Sequence, residues 1–376
     1  MNKAIILTPY CEPEKGACSI RVDFLKSVLT KREFEVLFLA PKRKNITECA
    51  EIKRYSSLRE MVKIILNTKP KIVIGTSPPL IPNAFGLFFS KLLGSKFILD
   101  AKEDGQYYAV QKSGAKEKIR WQVYSFLRWF TYSFSDKVMF LTHSDLEEAQ
   151  NNYALTNEKL SIVMNGTNTT LLKRDILARK EVRKKLGIGN NETVLCYSGS
   201  IGDEEVDEFL SNSCDAVLST KSKLLLILAL DTTVNDAENF SNLKKTIKKL
   251  AIEKKTIIKT NVDYEKISNY FSVADIGVLP WPNNLKTSIP VKLFDYAASS
   301  LPIIAKAPKN SEISKFFSKH SLGKVFYTWD SFKKGLSLML DNKKSLVAIG
   351  KNNRKTAEMF FDRKLQEKAV FSLLKE

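Results

Sequence analysis

The feature that most constrains this chain is the recurrence of short, almost wholly apolar runs divided by stretches of helical spacing. In the first half the runs fall at residues 4–8, 35–39, 72–75, 96–99, 138–141 and 160–164. In the second half they fall at 193–197, 224–230, 256–259, 275–279, 302–305 and 324–326. Helical patterns fill the gaps at about 17–31, 58–67, 80–93, 116–133 and 144–152, then at 204–219, 238–252, 264–271 and 290–299. Two more close the chain at 345–360 and 364–374. A strand that alternates polar and apolar residues keeps one wet face, whereas a continuous apolar run is covered on both. Strand–helix alternation of this kind winds a parallel sheet with helices on each side, a doubly wound α/β fold. At 376 residues the chain exceeds what one such core usually holds, so two domains are expected. Ligands of these sheets sit beyond the carboxyl ends of the strands, and the loops there are where binding residues belong.

The composition, 44% hydrophobic and 27% charged, is that of an ordinary globular protein. No apolar run approaches the length needed to span a bilayer, and the opening Met1-Asn2-Lys3-Ala4-Ile5-Ile6-Leu7 reads as a first strand. Five cysteines without a Cys-x-x-Cys pattern argue against a disulfide frame or a zinc site and fit a cytoplasmic protein. The two histidines, His143 and His320, exclude a His-rich metal centre. The net charge of +19 is spread over both halves. It suits nucleic acid, anionic lipid headgroups or a phosphorylated substrate, and equally a lysine-rich solvated surface. No nucleic-acid-binding module is recognisable, so nucleic acid is not an expected partner.

Residues 280–304 carry the most chemistry. They read as strand end, loop, helix and next strand. Ser288 is placed to cap the helix, and Pro290 is tolerated in its first turn. Val291, Phe294 and Ala298 repeat at helical spacing and face a core, with Lys292, Asp295 and Tyr296 on another face. The helix start offers backbone N–H groups and the positive end of a macrodipole, and Lys292 adds a full charge: a seat for a diphosphate. Asp295 can accept hydrogen bonds from the hydroxyls of a ribose. The plainer reading is a surface helix with a routine Lys–Asp pair.

This stretch resembles the donor-binding motif of the family 4 retaining glycosyltransferases of the GT-B fold, roughly Pro-Ser-Lys-x-x-Glu-Tyr-x-Ala-x-Gly-x-Pro-Val-Ile. Here it stands as Pro290-Val291-Lys292, Asp295-Tyr296-Ala297-Ala298 and Pro302-Ile303-Ile304. The resemblance implies an α/β GT-B architecture, two Rossmann-like doubly wound domains with an interdomain cleft. Residues 1–170 would form the acceptor-binding domain, 171–358 the nucleotide-sugar domain, and 359–376 a last helix returning to the first domain. It also implies that the acidic residue of the helix, Asp295, binds the ribose and that Ser288, Ile289, Pro290 and Lys292 lie against the diphosphate. The loop of Gly199 and Ser200 would touch the phosphates, Val262 would sit where backbone reads the base, and Asn165 would mark the crossing between domains.

In the first half, the Pro-rich loop at 9–16 ends in Gly16-Ala17, where the family contacts donor phosphate and sugar. Asp100, Lys102 and Glu103 match the Asp, Arg and second Asp of a run found in one branch of the family, without its Trp-Pro. They are acceptor-side candidates, Glu103 with a part in deprotonating the acceptor; helix-capping acids are the alternative. Residues 112–134 mix bases with aromatics. They read either as an interfacial helix at an anionic membrane or as a core helix of the first domain.

Departures from the family matter too. Asp203, Glu204 and Glu205 stand where it carries Arg and Lys on the phosphates, leaving Lys286 and Lys292 as nearby cations. Thr287 stands where a first Glu often lies, Asp295 shortens the second by one methylene, and Ser300 replaces a Gly. The function implied is a metal-independent glycosyltransferase using no cofactor, with Lys292, Asp295 and Glu103 as catalytic residues. It moves a hexose from a nucleotide diphosphate sugar to a glycan or lipid-linked acceptor in surface-polysaccharide synthesis, peripheral to the inner membrane face. Rival readings are a nucleotide-sugar epimerase on the same fold, short of histidines, and a non-catalytic membrane- or polyanion-binding protein.

Overall fold

The computed structural model describes residues 2–14, 16–43, 46, 49–102, 115–153, 155–201, 205–230 and 234–374. The chain divides into two compact units, Met1–Asn165 with Gln366–Glu376, and Gly166–Leu365.

The first unit is built on a seven-stranded parallel sheet. Its strands are β1 (Asn2–Leu7), β2 (Phe34–Pro41), β3 (Ile52–Tyr55), β4 (Ile72–Ser77), β5 (Lys96–Ala101), β6 (Lys137–Phe140) and β7 (Leu160–Ile162), in the order β3-β2-β1-β4-β5-β6-β7. Its helices are α1 (Ala17–Thr30), α2 (Leu58–Thr68), α3 (Leu80–Leu92), α4 (Ala115–Phe134) and α5 (His143–Tyr153). Every residue of β4 is buried, as a strand covered on both faces requires. Ile72 and Ile74 face a core with Val22, Leu25 and Leu29 of α1, while Val73 between them faces Met61, Leu87 and Tyr132 on the other side.

The second unit repeats the plan with β8 (Thr193–Gly199), β9 (Ser222–Leu228), β10 (Thr256–Thr260), β11 (Ile276–Pro280), β12 (Ile303–Lys306) and β13 (Gly323–Phe326), in the order β10-β9-β8-β11-β12-β13. Around this sheet lie α6 (Ile176–Lys185), α7 (Val206–Ser219), α8 (Val234–Lys249), α9 (Tyr264–Val273), α10 (Val291–Ala298), α11 (Glu312–His320), α12 (Trp329–Asp341) and α13 (Lys343–Thr356). After a π-helical turn, Ala357–Phe361, α14 (Arg363–Leu374) carries Val370 and Leu373 into the core of the first unit.

The chain is thus a two-domain α/β protein with two doubly wound parallel sheets. In each, strand order reverses once, between β1 and β4 and between β8 and β11. Such switch points open a crevice at the strands' carboxyl ends.

Some elements differ from the sequence reading. β3 was not expected, because Lys53 and Arg54 interrupt its apolar pattern; Arg54 is buried and paired with Glu14. Helices α11 and α12 were not expected either. Helix α10 begins at Val291 with Pro290 at its cap and no side chain capping it, so Ser288 is buried nearby but is not the cap. All eight residues of α10 are buried, so it has no exposed polar face.

Candidate functional site

At the switch point of the second unit, β8 ends in Gly199 and β11 in Pro280. The loop after β11 leads into α10 and is pinned by its own residues. Trp281 Nε1 donates to the Leu285 carbonyl at 2.8 Å, and the Lys286 carbonyl accepts from the Glu312 N–H at 2.8 Å. Leu285 and Ile289 are buried in the core beneath. The start of α10 is therefore held in place while no side chain caps its first turn.

Lys292, in that first turn, is only 8% exposed. Its Nζ lies 4.2 Å from the centre of the Tyr197 ring, where ring and cation attract. Gly199 has φ +151°, and a Cβ there would lie 2.3 Å from Lys292 Nζ. The backbone conformation favours glycine, and a side chain there would displace the ammonium group. The Tyr197 hydroxyl donates to the Ser200 carbonyl, closing the loop over the lysine.

Tyr296 explains the tyrosine of the motif. Its hydroxyl accepts from the Ser198 N–H at 2.7 Å and donates to the Val278 carbonyl at 3.4 Å. Its ring lies against Gly277, where a Cβ would meet it at 2.5 Å. One side chain so joins α10 to the ends of β8 and β11.

Asp295 is 4% exposed, and its Oδ1 accepts from Thr167 Oγ1 at 2.7 Å and from the Tyr264 hydroxyl at 3.3 Å. Tyr264 in turn accepts from Arg363 Nη2 at 3.2 Å. Burial raises the Asp295 carboxyl to about 6, against the charge of Arg363 and the hydrogen bonds from Thr167 and Tyr264. Burial first, and the Asp295 charge second, push the Tyr264 phenol up. Thr167 is fixed by backbone bonds to Phe361 and Arg363. Sequence reading named Asp295 but missed Thr167, Tyr264 and Arg363, which come together only through the fold.

Lys306, 2% exposed at the end of β12, was missed as well. Its Nζ is paired with Glu205 and donates to Asn283 Oδ1 at 3.1 Å. Glu205, which stands where a phosphate-binding cation was expected, is thus neutralised from within. The signal in the sequence was a lysine closing an otherwise apolar run. Gly202, Asp203 and Glu204 lie outside the described residues. Val262 is half-buried and packs on the same core as α10.

The remaining expected residues fall in the first unit. Gly16 caps α1 with φ +143° and no side-chain cap, and the space where a Cβ would stand is open to 4 Å. Ala17 is exposed beside it. The loop before Gly16 is anchored by Glu14, which pairs with Arg43 at 2.8 Å and Arg54 at 2.9 Å. Asp100 is fully buried: Arg21 Nε and Nη2 take both its oxygens, at 3.2 and 2.7 Å. It is a structural ion pair, not a carboxylate presented to an acceptor. Arg21 Nη1 also donates to the Met164 carbonyl beside Asn165. Lys102 is half-buried with Nζ 3.3 Å from Cys18 Sγ. Glu103 lies outside the described residues. Among the described residues no group of three or more His, Cys, Asp and Glu gathers as a metal site.

Gly199, Lys292, Asp295 and Lys306 lie within residues 178–356, which match the family described as "Glycosyl transferases group 1"; Thr167 and Arg363 lie just outside that match. No curated protein matches the chain. Among solved structures, sucrose-phosphate synthase from Thermosynechococcus elongatus superposes with TM-score 0.81 at 13% identity, covering 100% of this chain and 98% of that one. HepE from Anabaena, solved with UDP-glucose, gives 0.75 at 12% identity, covering 100% and 99%. WaaG, a glycosyltransferase involved in lipopolysaccharide biosynthesis, gives 0.75 at 16% identity, covering 97% and 98%. At these identities the structural likeness carries the fold. The family match over most of the second unit marks this chain as a glycosyltransferase, and the structural likeness gives its two-domain α/β fold.

Proposed function

We propose that this protein transfers a hexose from a nucleoside diphosphate sugar to a glycan acceptor carried on a lipid, with retention of anomeric configuration. The observation that carries the reading is the uncapped start of α10 with Lys292 beneath the Gly199 loop, at a sheet switch point inside the matched segment. A departing diphosphate gains negative charge as the glycosidic bond breaks. Preformed N–H groups and a buried ammonium stabilise that charge without reorganising. On this reading the residues of the chain supply the positive charge at the leaving group and no divalent ion is needed.

Asp295 takes the ribose. Its Oδ1 is held by Thr167 and Tyr264, which leaves Oδ2 as the oxygen for a sugar hydroxyl. The first unit, with Lys102 just past the carboxyl end of β5, serves the acceptor. HepE's complex with UDP-glucose supports a uridine nucleotide as the first donor to try, and WaaG's role in lipopolysaccharide biosynthesis supports a surface-polysaccharide pathway.

The test is a thermal-shift series with UDP, GDP and their glucose conjugates. One nucleotide should raise the melting temperature, and Lys292→Ala should reduce that shift by the equivalent of about 10-fold or more in affinity. No shift with any nucleotide, or a shift that Lys292→Ala leaves intact, overturns the assignment of the site.

A further inference from the structure

Two helices of the first unit turn apolar side chains to solvent. On α3, Ile81, Phe85, Phe88 and Leu92 are 43–66% exposed, and their spacing lines them along one side of the helix. On α4 the stripe is Ile119, Val123, Phe126, Phe130 and Phe134; all but the half-buried Phe130 are 50–61% exposed. The buried residues of α4, Arg128, Thr131 and Tyr132, lie on its opposite side. An ordinary surface helix shows solvent its polar face. Helix α3 packs against α4. The exposed rings also gather: Trp129 lies 5.7 Å from both Phe126 and Phe134, and Phe130 5.2 Å from Phe134, between ring centres.

Along these two helices Lys and Arg outnumber acids five to one. Helix α3 has no acidic residue, and its Lys91 pairs with Asp136. On α4, Lys118 and Arg120 are exposed, and Glu117 is the one acid in its sequence. The acids of α5, which packs on α4, are largely occupied: Glu148 holds Arg128, Asp145 accepts from Thr142, and Glu147 is exposed. Contiguous exposed apolar surface of this kind marks an interaction site. Aromatic rings beside lysine and arginine suit the boundary between lipid tails and negative headgroups. A second copy of the chain would present the same basic helices with little acid to meet them.

We propose that the α3–α4 face docks the protein on an anionic lipid surface, with Phe88, Phe126 and Trp129 at headgroup depth and Lys118 and Arg120 against the phosphates. It deepens the transferase reading by naming where a lipid-linked acceptor is met, while the docking itself needs only this face.

The full-length protein should co-sediment with vesicles of phosphatidylglycerol and phosphatidylethanolamine, and much less with phosphatidylcholine alone. Phe88→Glu with Phe126→Glu should cut binding about 10-fold or more with an unchanged melting temperature. Leu338→Glu, at a 70% exposed position of the second unit, should not change it. Brominated lipids should quench tryptophan fluorescence, and Trp129→Phe should remove much of that quenching. The proposal is overturned if the wild type stays in the supernatant or the double variant sediments like the wild type. It is equally overturned if these residues instead hold a dimer in light scattering while vesicle binding is unchanged. A failed nucleotide shift bears on the transferase reading and leaves the vesicle result standing.

Discussion

Lys292 and Asp295 lie three residues apart on one helix but meet opposite surroundings. Lys292 points at a glycine loop and an aromatic ring, where a cation is welcome; Asp295 points into a buried knot of hydroxyls with Arg363 beyond. The motif identified both residues from sequence. It did not disclose that Asp295 is bonded to Thr167, 128 positions away, because only the fold brings them together. The raised carboxyl has a definite consequence for stability. Above about pH 6 the folded protein carries a buried charge that the unfolded chain solvates freely, so the carboxylate costs stability there. Below the ordinary carboxylate range both states are protonated and the cost vanishes. Asp295→Asn, which keeps an acceptor for Thr167 and Tyr264, should therefore raise the melting temperature at pH 8 by the equivalent of roughly 2–3 kcal/mol. The gain should shrink as pH falls from about 6 to about 4. A gain independent of pH would show that the charge is not its source.

At the scale of elements, α10 and its loop were legible because Pro290, Lys292, Asp295, Tyr296 and Pro302 form a compact pattern. The elements that escaped were those whose pattern is interrupted or whose caps are subtle. Helix α12 has Phe332, Leu336 and Met339 buried behind a Thr328–Ser331 capping box, a signal carried by two small polar residues. Lys306 escaped because its partners come from elsewhere in the chain: Glu205 just before α7, and Asn283 in the loop before α10. Removing the ammonium alone leaves Glu205 unpaired and the loop without its donor. Lys306→Met should cost about 3–5 kcal/mol in denaturant unfolding. Glu205→Gln added to it should recover a large part, since no charge is then left without its partner. If the double variant is no more stable than Lys306→Met, the pair does not act as a unit.

For the whole molecule, the repeated apolar runs disclosed two doubly wound sheets, since a parallel strand covered on both faces leaves a continuous signature in sequence. The segments that make each unit complete are less visible, because they lie far along the chain. Residues 366–376 belong to the first unit: Val370 and Leu373 are buried in its core, Gln366 accepts from the Met164 N–H at 3.1 Å, and Arg32 lies 4.5 Å over the Phe371 ring. Ending the chain after Leu365 would expose the apolar side chains of α1 and the sheet that these residues cover. Losing the two buried side chains alone costs roughly 3–6 kcal/mol. Hydrogen exchange should localise that loss. Amides of α1 and β1 should exchange markedly faster in the truncated protein, whereas those of β11 and β12, in the second unit, should keep their protection. Equal protection of α1 in the two proteins would mean that the last helix adds nothing to the first core; equal loss in β11 and β12 would mean that the two units do not open separately.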